Sequence, residues 1–129
     1  MIVIDASLLV EMLLNRPLAA AVRERLAQCA EPIAIPHIID IEAISALRGI
    51  AKAERISSDR QEAFLMNLAL FPAERYQHTP LLPRIWELRH NFTSHDAAYI
   101  ALAEALDAEL YTSDRRLARG HRARVRIFA

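Results

Sequence analysis

The chain has very little cysteine, glycine or lysine, and each scarcity excludes something. Cys29 stands alone among the 129 residues, so there is no internal disulfide and no cysteine metal cage, which fits a reducing cytosol. Gly numbers 2 and Pro 6, too few for a linker or a low-complexity tail. No stretch approaches the ~20 apolar residues of a membrane span. No basic region precedes the first apolar run, and Asp5 and Glu11 interrupt that run, so no secretory leader is expected. Excess charge is missing too. The 16 basic and 16 acidic residues leave a formal net charge of +0, without the basic surplus usual in nucleic-acid binders.

What is present describes a compact, helix-rich protein. Hydrophobic residues make up 53% and charged residues 25%, enough for one domain, 1–129, with an ordinary core. The basic residues are almost all arginine, Lys52 excepted. From Arg115 onward the tail RRLARGHRARVRIFA carries arginine and no acid. Guanidinium groups favour bidentate phosphate contacts, and a merely solvated arginine-rich edge is the plain alternative.

Short apolar runs alternate with helical periodicity. The run IVID predicts a buried strand over 2–5, followed by helices at 7–14 and 17–29, with Pro17 in a first turn. A strand is expected at 33–35, helices at 38–53 and 58–71, and a brief strand at 74–77. Pro80 opens a helix to about Arg89. Thr93 or Ser94 caps the next helix, a strand follows at 109–112, a short helix starts at Asp114, and a last strand lies near 125–128. Alternation of this kind implies a parallel sheet covered on both faces. Sites in such sheets form beyond the carboxyl ends of the strands, where strand order reverses.

Two apolar runs, MIVID and LYTSD, stop at an acid. Taken singly, Asp5 and Asp114 read as helix caps, and Asp96 complements a helix dipole. Asp96 strains that explanation, because its helix, DAAYIALAEAL, is apolar nearly all round and therefore buried. A buried carboxylate needs a partner or a metal, and Arg89 is the available cation. The helix from Ile38 offers Asp40 and Glu42, about 200° apart around the axis, so only one faces a given site. Glu42 shares its face with the small residues Ser45, Ala46 and Gly49, a slight preference that leaves the choice open.

If Asp5, Glu42, Asp96 and Asp114 converge, each pair ~5 Å apart repels by roughly 3 kcal/mol at an effective dielectric near 20. Such a cluster requires cations. All-oxygen donors without His or Cys favour Mg²⁺ or Mn²⁺, which orient phosphate oxygens and activate water for phosphodiester hydrolysis. The histidines, His37, His78, His90, His95 and His121, show no ligand spacing.

These segments resemble the PIN-domain family, and within it the VapC-type toxin ribonucleases, along almost the whole chain. IVIDASLLVEML is similar to the opening strand with its aspartate and small hydroxyl residue, here Asp5 and Ser7. PHIIDIEAISALR resembles the helix bearing the family glutamate, which selects Glu42 over Asp40. TSHDAAYIALAEALDAELYTSDRRL resembles the aspartate-led buried helix followed by strand, hydroxyl residue and aspartate, here Asp96, Thr112 and Asp114. The resemblance implies a three-layer α/β/α sandwich around a five-stranded parallel sheet, with first and fourth strands adjacent. It implies a Mg²⁺- or Mn²⁺-dependent endoribonuclease, the toxin of a toxin–antitoxin pair. Such a protein is cytoplasmic, held by a small cognate antitoxin, usually homodimeric, and independent of membranes.

On that resemblance Asp5, Glu42, Asp96 and Asp114 are metal ligands and catalytic residues, Ser7 and Thr112 orient them, and Arg89, Arg115, Arg116 and Arg119 are candidates for RNA contact. Arg115 and Arg116 have local acids as alternative partners. A PIN-type nuclease of RNA processing and a catalytically silent PIN-like binding module are the competing functions. A phosphoacceptor receiver domain needs adjacent acids after the first strand and a lysine after the last, which this chain lacks. A dehalogenase-like phosphatase needs two aspartates spaced by one residue, and Asp5-Ala6-Ser7 breaks that spacing.

Overall fold

A computed structural model describes residues 1–129. Strands β1 (Ile2–Ile4), β2 (Ile33–Pro36), β3 (Glu74–Tyr76), β4 (Glu109–Thr112) and β5 (Arg124–Ile127) form one sheet in the order β3-β2-β1-β4-β5. Every neighbouring pair is parallel, with Ile2 opposite Ile33 on one side and Glu109 on the other. The chain builds outward from β1 to β3, then returns to lay β4 on the other flank of β1. Strand order therefore reverses between β1 and β4, and their carboxyl ends open a crevice.

Helices α1 (Ala6–Leu13), α2 (Ala19–Cys29), α3 (Ile38–Glu54) and α4 (Ser58–Ala69) pack together on one face, and α5 (Leu82–Glu87) and α6 (Ser94–Leu106) on the other. The result is the three-layer α/β/α sandwich with a five-stranded parallel sheet. A core of 29 buried residues runs through all three layers. Helix α6 is buried from Ala97 to Ala103. Its alanines let it lie close on β1, β2 and β4, and that position brings its first turn to the rim of the crevice. No helix is long and apolar enough to cross a membrane.

Three boundaries differ from the sequence expectations. Pro17 does not open α2; it lies in a turn, where Leu18 N–H donates to Glu11 Oε2 at 3.0 Å and Ala19 N–H to Arg16 O at 2.9 Å. The helix expected over 80–89 is split into a 3-10 turn at Thr79–Leu81 and the short α5. Pro83 causes the break, since it has no N–H to continue the first ladder yet suits a new first turn. The segment after Asp114 is likewise a 3-10 turn, Arg115–Ala118.

With two glycines in the chain, helix ends use other residues in the left-handed region. Ala30 (φ 51°), Arg55 (φ 51°) and Asp107 (φ 49°) terminate α2, α3 and α6. Gly120 is the exception, at φ 93°, where an added Cβ would stand 3.3 Å from the ring of Phe92.

Candidate active site at the carboxyl rim of the sheet

Asp5 follows directly on β1 and caps α1. Its backbone N–H donates to Tyr111 O at 3.1 Å, while its Oδ1 accepts Leu8 N–H at 3.1 Å. The strand ladder and the helix cap together fix the carboxylate, which is 7% exposed. Ser7 donates its hydroxyl to Oδ1 at 2.7 Å, and Thr112, fully buried at the end of β4, donates to Oδ2. Thr112 Oγ1 also accepts Asp114 N–H at 3.0 Å, which joins the two strand-end acids through one hydroxyl. Burial pushes the Asp5 carboxyl above its usual range, outweighing the hydrogen bonds from Thr112, Ser7 and Leu8, and the charge of Asp96 adds to the rise.

Asp96 stands in the first turn of α6, its N–H capped by Thr93 Oγ1 at 3.2 Å. Its carboxylate has no hydrogen-bonded or ion-paired side chain, although it lies near enough to Asp5 and Arg116 to act on both electrostatically. The two acids of α3 diverge as their spacing requires. Asp40 is held by Arg75 through two bonds of 2.9 Å. Glu42 instead faces the crevice, where it lines an open recess of about 380 Å³ with Ser45, Asp96, His95 and Ile38. Its Oε1 accepts the Tyr99 hydroxyl at 2.5 Å.

Asp114 caps the 3-10 turn, accepting Arg116 N–H at 2.9 Å, and the Arg116 guanidinium closes on both oxygens at 2.6 to 3.1 Å. That contact holds the Asp114 carboxyl below its usual range, against the opposing effect of burial. Asp5 is joined to Asp114 through Thr112 and lies near Asp96, and Asp96 shares a recess with Glu42, but the four acids are not drawn into a ready metal cage. Arg116 occupies Asp114 and Tyr99 occupies one oxygen of Glu42. The open donor positions are both oxygens of Asp96 and Oε2 of Glu42.

The PIN-domain family profile matches residues 2–122 of this sequence. The chain belongs to the PIN-domain family. It is 40% identical over 117 residues to VapC ribonuclease Mb0985 of Mycobacterium bovis, a match spanning 91% of this chain and 88% of that protein. It is 38% identical to ribonuclease VapC12 of Mycobacterium tuberculosis, with 100% of both chains covered. Among solved structures, PAE2754 from Pyrobaculum aerophilum superposes with a TM-score of 0.73 at 24% identity, covering 96% of this chain and 81% of that one. VapBC2 from Rickettsia felis, bound to a DNA fragment from its promoter, superposes with a TM-score of 0.69 at 17% identity and 100% coverage of both chains.

In this PIN domain the arginines separate by environment. Arg115 and Arg119 are exposed and make no ion pair, whereas Arg116 is committed to Asp114. Arg89 does not neutralise Asp96. Its guanidinium lies 4.3 Å over the Trp86 ring and donates to Trp86 O at 2.8 Å, because the turn ending α5 keeps both residues on one surface. Sequence reasoning did not single out Tyr99 as a site residue. The available signal was its position three residues after Asp96, on the same face of a buried helix. Ser113 was also missed; its Oγ lies 3.0 Å from Ser7 Oγ, and nothing in its spacing announced that.

Proposed function

We propose that this protein is a Mg²⁺- or Mn²⁺-dependent endoribonuclease acting as the toxin of a toxin–antitoxin pair. The observation that carries the proposal is the buried Asp5 at the end of β1, bonded to Thr112 at the end of β4 and within electrostatic reach of the unpaired carboxylate of Asp96. The mycobacterial relatives named as ribonucleases support the substrate class. The donor set fits a hard divalent ion, since its free positions are carboxylate oxygens and no thiol stands among them. Asp96 and Glu42 would supply open oxygens and Asp5 its remaining lone pair. Asp114 would join once Arg116 releases it. Such an ion, when bound, activates water and polarises phosphate oxygens for in-line hydrolysis.

The protein's own groups define the rest of the reaction. Ser7 and Thr112 fasten the Asp5 carboxylate so that its free lone pair keeps one direction. Arg116 balances Asp114 and Asp96 before substrate arrives, and on the incoming phosphate it exchanges one oxyanion for another. Arg115 and Arg119 contact flanking phosphates from the exposed turn. No serine or cysteine with a histidine base is required, as the nucleophile is water. We read the whole chain, 1–129, as one PIN unit that works in the cytoplasm as a homodimer and is silenced by a small cognate antitoxin. The VapBC character of the Rickettsia felis assembly is consistent with that partner.

The test is RNA cleavage by the purified chain, free of partner. Cleavage is expected with Mg²⁺ or Mn²⁺, absent with EDTA, and abolished in Asp5→Asn and in Asp96→Asn. Full activity in both variants would refute the assignment of the site.

A further inference from the structure

Glu42 differs from the other three acids in what secures it. Asp5 is tied by a backbone amide and two hydroxyls, Asp114 by an amide and a guanidinium, and Asp96 sits on the first turn of a buried helix. Glu42 projects from α3 on a side chain with several rotatable bonds, and its one hydrogen bond comes from Tyr99. The tyrosine is 2% exposed, and its hydroxyl lies close to the Ala6 backbone N–H at the start of α1. Its ring rises from α6, on one face of the sheet, and its oxygen reaches α1 and α3, on the other, past the carboxyl ends of the strands. One phenol thus ties both helical layers together at the height of the acids. An untethered glutamate would populate several rotamers, few of which reach the recess shared with Asp96.

We propose that Tyr99 is a positioning residue that holds Glu42 in its metal-binding orientation, leaving Oε2 as the oxygen presented to the ion. The role rests on the assignment of Glu42 as a ligand made above. Hydrogen-bond partners of carboxylate ligands set their direction, and losing one typically weakens metal binding 10–100-fold.

The experiment measures Mn²⁺ binding, by calorimetry and by electron paramagnetic resonance, to the full chain free of partner. It compares wild type, Tyr99→Phe, Glu42→Gln and the double variant, with RNA turnover and urea midpoints recorded alongside. Tyr99→Phe should weaken Mn²⁺ at least 10-fold and lower kcat, with KM for RNA unchanged, and excess Mn²⁺ should restore kcat. In the Glu42→Gln background the tyrosine substitution should add no further loss, a pattern that a purely structural tyrosine would not produce. Weakened binding in Glu42→Gln with wild-type affinity in Tyr99→Phe would overturn the positioning role alone. Equal losses from Tyr99→Phe in both backgrounds would overturn it too. Wild-type affinity in Glu42→Gln would overturn the ligand assignment of Glu42, and the role of Tyr99 with it.

Discussion

Replacing Asp5 by asparagine and by alanine separates the charge of this residue from its shape. The carboxylate accepts Leu8 N–H and Ser7 O–H on Oδ1 and the Thr112 hydroxyl on Oδ2. Asparagine caps helices as well as aspartate, so Asp5→Asn keeps both Oδ1 bonds at a cost near zero. Its amide meets Thr112 Oγ1, which must turn from donor to acceptor while still receiving Asp114 N–H, a loss of about 1 kcal/mol. Removing a buried charge whose desolvation outweighs its hydrogen bonds offsets this loss. The net change lies within about 1 kcal/mol of zero, or roughly 4 °C in Tm for a chain of this size.

Alanine strands the Leu8 and Thr112 donors, at ~1–3 kcal/mol each, so Asp5→Ala should lose about 3 kcal/mol. The pH dependence has a fixed sign. Because the folded-state carboxyl lies above its ordinary value of 3.8, Asp5 favours the fold fully below that pH. It loses this contribution as pH rises through the folded-state value. The stability of Asp5→Asn relative to wild type should therefore improve between pH 3.5 and pH 7. Urea denaturation in EDTA at both pH values reads the effect. Equal destabilisation by asparagine and alanine at pH 7 would show that the charge itself supports the fold, and would refute the reasoning.

Ala30 terminates α2 at φ 51° with its N–H bonded to Leu26 O, so Ala30→Gly should stabilise the fold by about 0.5–1 kcal/mol in thermal denaturation. The Glu104 side chain, 6% exposed, is desolvated at a cost that Arg84 and the Arg122 N–H more than offset, which holds its carboxyl below the ordinary 4.5. That contribution is present above pH 4.5 and disappears as pH falls through the lower folded-state value. Arg84→Met should accordingly cost about 2 kcal/mol at pH 7 and less at pH 3.5, read from urea midpoints. Arg116→Ala should tighten Mn²⁺ binding roughly two- to fivefold, because a competing cation leaves Asp114. It should also weaken RNA binding and reduce the salt slope by about 1, measured by calorimetry and by fluorescence anisotropy.

The sheet and its layers were legible because hydrophobic patterning is local. The short apolar runs at β1 and β4 announced buried strands, and the nearly continuous apolarity of α6 announced a central helix. The misplaced boundaries fell where a single residue decides backbone bonding. Pro83 split one expected helix, and the Glu11 carboxylate, seven residues upstream, captured the Leu18 amide before α2 could start at Pro17. Neither event has a periodic signature.

At the site, sequence determined which groups stand at strand ends and helix starts: Asp5, Thr112, Asp114 and Asp96 each occupy a position that chain-local rules assign. It could not determine their partners, because a hydrogen bond between residues 57 or 107 apart depends on how layers pack. Only the tertiary structure turned Asp40 towards Arg75 and Glu42 towards Tyr99, closed Arg116 over Asp114, and laid Arg89 on Trp86 instead of beside Asp96. Local chemistry chose the acids; packing past the carboxyl ends of the strands decided which of their oxygens remain free.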